Sequence, residues 1–250
     1  MTPTSSAIIG AVIPVYNHGG PVVGVARALR AHGLPVLLVD DGSAADCAAV
    51  LARLAEEDAD IHVVSLAVNQ GKGGAVMAGL RAARERGWSH ALQIDADGQH
   101  DTRDVPRFVA AAQAEPDHFI CGCPVYDASV PKGRLYGRYA THVWVWINTL
   151  SLAVRDSMCG FRVYPLARVL PVIDGARIGR RMDFDVEVAV RLVWAGVPVR
   201  NLPTAVRYPE DGISHFRVLH DNLLISAMHT RLFFGMLWRA PLLLWRKVAA

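Results

Sequence analysis

The chain has little of what would mark it as a metal-stapled, secreted or nucleic-acid-binding protein. Its four cysteines are Cys47, Cys121, Cys123 and Cys159. One C-x-C with no second pair at ligand spacing argues against a structural zinc site, and there is no disulfide framework, so a reducing compartment is expected. Charge is nearly balanced, 26 Lys+Arg against 23 Asp+Glu, which is too weak an imbalance to argue for nucleic acid. The first residues, MTPTSSAIIGAVIPVY, carry no basic group ahead of their apolar run, so they are expected to enter a strand rather than to form a signal peptide. No internal repeat or low-complexity linker interrupts the chain. The apolar tail from His215 onward has no unbroken stretch near the roughly 20 residues that a membrane-spanning helix needs.

What is present is a core: 52% of the 250 residues are hydrophobic, enough for one large domain. Short β-branched runs such as IIGAVIPV, PVLLVDDGS, IHVVSL, HALQIDADGQ and HFICGCP alternate with helical stretches such as PVVGVARALRAHG, DCAAVLARLAEED and DVPRFVAAAQAE. Strands alternating with helices of this length predict a doubly wound α/β domain with a mostly parallel sheet. Ligands of such sheets collect beyond the carboxyl ends of the strands. PVYNH, VDDGS and DADGQH each fall at such an end. After about residue 125 the alternation weakens into a loop, an aromatic-rich helix, DSMCGFRVYP, a helix within MDFDVEVAVRLVWAG, and the tail. We divide the chain at residues 1–214, the α/β domain, and 215–250, an apolar and basic helical extension whose apolar stretch is interrupted by Pro241 and the arginines. Trp, Phe and Leu beside Arg and Lys give the extension the composition of a helix lying in a membrane interface.

Asp95 and Asp97 stand at i and i+2 in LQIDADGQH, so on an extended segment they project to one side. Two such carboxylates are oxygen ligands for a hard divalent cation, Mg2+ or Mn2+; without one they are solvated turn acids. Asp40 and Asp41 end another strand, where one acid can bind a nucleoside while the other caps the following helix. NQGKGGAV places glycines and Lys72 before a helix, which suits diphosphate, although it is neither a Walker A sequence nor a dinucleotide fingerprint. Asp156, Asp183, Asp185 and Glu187 form a later acidic set. If helical, Asp183 and Glu187 share a face.

Taken in order, PVYN, DDGS, NxGKGGA, DADGQH, D-x-x-CGFR and FDVEV resemble the family 2 glycosyltransferases of GT-A (Rossmann-like) fold. The likeness is greatest to the dolichyl- or polyprenyl-phosphate mannose synthase branch and runs from about Ile8 to Ser214. Residues 124 to 165 also look like transferases found with bacterial aryl-polyene pathways. The resemblance implies metal-dependent, inverting transfer of a sugar from a UDP- or GDP-sugar to a lipid-linked or small hydrophobic acceptor. It places Pro14, Tyr16, Asn17 and Asp41 along the nucleoside, Asp95 and Asp97 at the metal and diphosphate, and Gln99 as a further metal ligand. It sets Arg162 toward the donor and acceptor phosphates, and Asp185 and Glu187 in the segment that supplies a base or orients the acceptor. Asp183 or Asp185 is the base if the acceptor is an alcohol; a lipid phosphate needs none.

Three departures stand out. His18 occupies a position where many members have Glu, CGCP replaces a Gly-Ser-Arg triplet that meets acceptor phosphate, and no C-terminal transmembrane pair is present. Membrane contact is therefore expected through 215–250, on an anionic surface at the inner face of the cytoplasmic membrane; its Trp, Met and Phe surface suits a protein partner equally. The rival readings are a nucleotidyltransferase of similar fold and an inactive nucleotide-binding scaffold. The first lacks its usual cation-bearing loop after the first strand.

Overall fold

The computed structural model describes residues 7–125, 132–206 and 218–249. β1 (Ile9–Val15), β2 (Val36–Asp40), β3 (Ile61–Ser65) and β4 (His90–Gln93) alternate with α1 (Gly19–Ala31), α2 (Ala45–Glu57) and α3 (Lys72–Glu85). These strands read as apolar runs because both of their faces are covered. In β2, Val36 and Leu38 join the core under α1 and α2, while Leu37 and Val39 join the core under α3. Gly79 on α3 lets that helix lie against β1, since a Cβ there would stand 2.4 Å from Val12 Cγ1.

The chain continues through α4 (Val105–Ala114), β5 (Phe119–Val125), α5 (Lys132–Thr149), β6 (Arg162–Pro165), α6 (Leu166–Asp174), α7 (Phe184–Trp194), β7 (Val199–Ala205) and α8 (Val218–Val248). The sheet order is β3-β2-β1-β4-β6-β5-β7. Only β6 runs against its neighbours, pairing antiparallel with β4 and β5, while β5 and β7 are parallel. The mostly parallel α/β sheet expected from the sequence is thus present, with two strands the sequence reading did not assign. Strand order reverses between β1 and β4, and in sheets of this kind the ligand crevice lies at that switch point, here beyond Val15 and Gln93.

The boundary at 214/215 lies outside the described residues. Beyond it, the helical extension expected from the sequence is α8, which runs through Pro241. Pro241 is exposed, so the carbonyl left without its helical partner faces solvent. The opposite stripe, Met228, Leu232, Met236 and Leu243, is buried in the same core as α3, α5 and α7.

Candidate active site

Beyond β1, Asn17 adopts φ 55°, a left-handed conformation that Asn tolerates. Its Oδ1 accepts from Ala44 N at 2.8 Å and its own N–H donates to Ser43 Oγ at 3.0 Å. This caps α2, whose own N-cap residue, Ala44, offers no side-chain acceptor. Tyr16 presents part of its ring to solvent and Pro14 is half-buried at the end of β1.

Both acids of β2 are engaged by backbone. Asp40 Oδ1 accepts from Ser43 N at 2.9 Å; Asp41 accepts from Gln70 N at 2.6 Å and Gly71 N at 2.9 Å. Burial pushes the Asp41 carboxyl up, against those two N–H groups. Asp41 therefore fixes the loop that leads into Lys72. Gly71, at φ +87°, suits the turn, and a Cβ on it would strike Arg180 O.

Lys72, the first residue of α3, is the centre of the crevice. Its Nζ lies 2.8 Å from Asp95 Oδ1 and 2.9 Å from Asp185 Oδ2. Burial works against the Lys72 charge, but Asp185 and Asp95 outweigh it and raise its pKa. Burial likewise works to raise Asp95, yet Lys72 and His100 hold that carboxyl well below the usual range. His100 Nε2 is 3.6 Å from Asp95 Oδ2. Behind Asp185, Gln93 Nε2 donates to its Oδ1 at 3.4 Å, and Tyr164 Oη donates to Gln93 Oε1 at 2.8 Å. Gly160 closes against Asp95 from above: a Cβ there would stand 2.2 Å from Asp95 Oδ2.

The other acids are arranged differently. Asp156 accepts from Arg138 Nε and Nη2 at 2.6 and 2.7 Å and from Met158 and Cys159 N, and its Oδ2 lies 3.3 Å from His142 Nε2. Burial alone would raise it, but His142 and Arg138 hold it well below the usual range. Glu187, fully buried, accepts from Gly179 N, Arg191 and Arg231. Asp183, the N-cap residue of α7, accepts from Arg181 N, and burial raises its pKa. The shared face expected for Asp183 and Glu187 is not what organises them: Glu187 turns to arginines, and Asp185 alone reaches Lys72.

Arg162 needs correction. It was expected to face phosphates, but it is 0% exposed. Its guanidinium donates to Cys159 O at 2.6 Å, Ser157 O at 2.6 Å and Asp185 O at 2.7 Å. It braces the 157–160 segment against α7 instead of lining the crevice. The sequence set His100 beside the acidic motif without a role of its own, and it gave no sign of Gly160, inside another motif, or of Arg138, Arg191 and Arg231, whose partners are distant in the chain.

Among the described residues, no three His, Cys, Asp or Glu converge as a self-sufficient metal site. A hard cation nevertheless fits the donors present. Burial, and then the Asp95 charge, push the Asp97 carboxyl up, and it accepts from Gln99 N at 3.0 Å. An under-compensated carboxylate beside a second one suits a divalent ion whose remaining ligands are diphosphate oxygens.

Residues 11–169 match the family described as Glycosyl transferase family 2. A polyprenol monophosphomannose synthase from Mycolicibacterium smegmatis is 27% identical over 230 residues, 85% of this chain and 81% of that protein. An undecaprenyl-phosphate mannosyltransferase from Micrococcus luteus is 28% identical over 203 residues, 77% of this chain and 80% of that protein. Among solved structures, a mannosyltransferase from Pyrobaculum calidifontis in complex with GDP-Man and Mn2+ superposes with a TM-score of 0.60 at 17% identity, covering 95% of this chain and 66% of that one. Glucosyl-3-phosphoglycerate synthase from Mycobacterium tuberculosis gives 0.58 at 16% identity, covering 93% and 80%. The architecture is that of the GT-A glycosyltransferases.

Proposed function

The chain belongs to glycosyl transferase family 2, and from that premise we propose that it moves a sugar from a UDP- or GDP-sugar to a polyprenyl phosphate in a membrane, with inversion at the anomeric carbon. This sets the nucleotidyltransferase and scaffold readings aside. The observation that carries the proposal is the Lys72 cluster, with Asp95 and Asp97 on one side and Asp185 on the other, at the crevice where ligands of such sheets bind. Curated relatives named for polyprenyl-phosphate sugar transfer support the acceptor class.

Asp95, Asp97 and Gln99 would hold Mg2+ or Mn2+, which supplies positive charge to the leaving diphosphate. Tyr16, Asn17 and Asp41 shape the nucleoside side of the crevice, with Pro14 and Asp40 behind them. In the reaction an acceptor oxygen bonds to the anomeric carbon as the bond to the β-phosphate oxygen breaks and the nucleoside diphosphate leaves with the electron pair. Lys72, held charged by Asp95 and Asp185, would offset that developing charge. Asp185 positions Lys72, and Gly160 fixes Asp95 from the opposite side. A phosphate acceptor is already an anion and needs no base. A small hydrophobic alcohol, the second reading, is favoured by one observation: β5 carries CGC where an acceptor-phosphate arginine was expected. It would call on Asp183, whose raised pKa suits proton removal.

Calorimetric titration of UDP, GDP and dTDP with Mn2+ and then EDTA, followed by transfer assays with undecaprenyl phosphate and aromatic alcohols, tests both parts. Metal-dependent binding of one nucleotide and transfer to the lipid phosphate are expected. No binding by folded protein would sink the mechanism, and transfer to alcohols alone would replace the acceptor.

A further inference from the structure

Protein fills the space beside the glycines around Lys72. A Cβ on Gly71 would stand 2.6 Å from Arg180 O and 2.7 Å from Arg181 Cγ, and one on Gly73 would stand 2.3 Å from Phe184 Cβ. Gly74 N, a donor that an open helix N-terminus would offer to an anion, is taken by Arg180 O at 3.0 Å. NQGKGGAV is therefore a seat for residues 180–184, the segment that leads into α7. That segment is braced from its own side as well. Asp183 Oδ1 accepts from Arg181 N at 3.1 Å, and a Cβ on Gly179 would strike the Asp183 carboxylate. With Gly74 N spent, the amino end of α3 brings Lys72 as its side-chain cation, and Lys72 is already shared between Asp95 and Asp185.

What the seated segment carries is charge. Arg180 and Arg181 are both exposed, and neither forms a salt bridge among the described residues. By contrast, Arg138, Arg162, Arg191 and Arg231 each lie within salt-bridge distance of a carboxylate. Arg180 Nη1 donates to the neutral Gln70 Oε1 at 3.0 Å, and Gln70 N in turn donates to Asp41 Oδ1 at 2.6 Å. Arg181 is close enough for its charge to act on Asp41. Both arginines therefore stand on the Asp41 side of Lys72, where the nucleoside is proposed to lie. β5, where an acceptor-phosphate arginine was expected, lies beyond β4 and β6 in the sheet.

We propose that Arg180 and Arg181 hold the phosphates of the nucleotide donor beside Lys72. This deepens the donor reading and rests on it. A guanidinium meets phosphate oxygens in a fixed fork. A backbone seated on α3 and held by Asp183 sets that fork before the donor arrives, so little ordering is left for binding to impose. The donor brings further negative charge to strand ends that already carry Asp40, Asp41, Asp95 and Asp97, and the two unpaired guanidinium groups offset it.

The test is calorimetric titration of UDP and GDP, with Mn2+, into the full chain and into the variants Arg180→Ala/Arg181→Ala and Arg180→Lys/Arg181→Lys. Affinity for the nucleotide that binds the wild type should fall by about tenfold or more in the alanine variant and recover in part in the lysine variant. The gap between wild type and alanine variant should narrow as salt is raised. Residual binding should still vanish with EDTA, since Asp95 and Asp97 are untouched, and thermal melting should hold because both side chains are exposed. Undiminished nucleotide binding by the alanine variant overturns the inference and leaves the donor reading standing. If that variant also shows a raised KM for undecaprenyl phosphate, the arginines belong to the acceptor. A gap independent of salt overturns it too, because the arginines would then meet the base. A folded wild type that binds neither nucleotide overturns the donor reading and this inference with it.

Discussion

Asp185 and Glu187 stand two residues apart on α7, and the structure treats them in opposite ways. Asp185 shares the Lys72 ammonium with Asp95 and has Arg162 Nη1 3.5 Å from its other oxygen, whereas Asp97 is in no ion pair among the described residues. Glu187 has two arginines and a backbone N–H to itself, and Asp156 has an arginine, a histidine and two backbone N–H groups. The first set shares its cations at the strand ends and leaves Asp97 outside any ion pair among the described residues; the second pair is compensated by arginines and ties elements together. A carboxylate that wants a cation is placed for ligand chemistry, whereas one saturated by arginines is placed for the fold.

Exchange of charge for neutral isosteres should sharpen the contrast. The largest effect is expected from Asp97→Asn: metal-dependent nucleotide binding disappears and transfer slows by about 10³. The urea midpoint holds or rises slightly, because a carboxyl pushed up by burial loses an unfavourable charge; calorimetry and urea unfolding read both. Glu187→Gln should do the reverse, lowering stability by roughly 3–5 kcal/mol while activity per folded molecule stays near wild type. If Glu187→Gln instead abolished activity in folded protein, the contrast would be broken.

Gly160→Ala comes next. Its methyl group would stand 2.2 Å from Asp95 Oδ2, so the carboxylate must shift, and a displacement of that kind costs transfer about 10² with a modest fall in melting temperature. The smallest effect concerns pH. Asp156 has a folded-state pKa below its unfolded value, so its stabilisation is present in full above the ordinary carboxylate range near pH ~4 and fades as pH falls through the depressed value. The stability gap between wild type and Asp156→Asn should therefore be full at neutral pH and narrow only in strong acid, in urea titrations at several pH values.

Much of the first half was legible in the sequence because its strands are covered on both faces and their helices begin at glycine or polar punctuation. IIGAVIPV and PVLLVD became β1 and β2 almost residue for residue. β6 was not legible. It is four residues long and contains Arg162, whose burial is possible only because carbonyls from two distant segments, Ser157 and Cys159 on one and Asp185 on the other, converge on it. Nor could local pattern show that Lys72 bridges Asp95 to Asp185, or that Glu187 meets Arg231, since those partners are brought together by the sheet and by α8. The motifs marked the crevice correctly, and the division of labour among its acids came from tertiary contacts.

The reversed strand carries a consequence for how the molecule is made. β6 emerges after β5 yet lies between β4 and β5 in the finished sheet. During synthesis at ~5–20 residues/s, β4 waits several seconds with one row of its amides and carbonyls unpaired, an open template for any other strand. Asp185 arrives later still, so Lys72 and Asp95 meet without their third partner. A nascent chain is therefore adhesive and inert over the same interval, and both conditions end only when the strand between β4 and β5 and the helix behind it have been threaded into place.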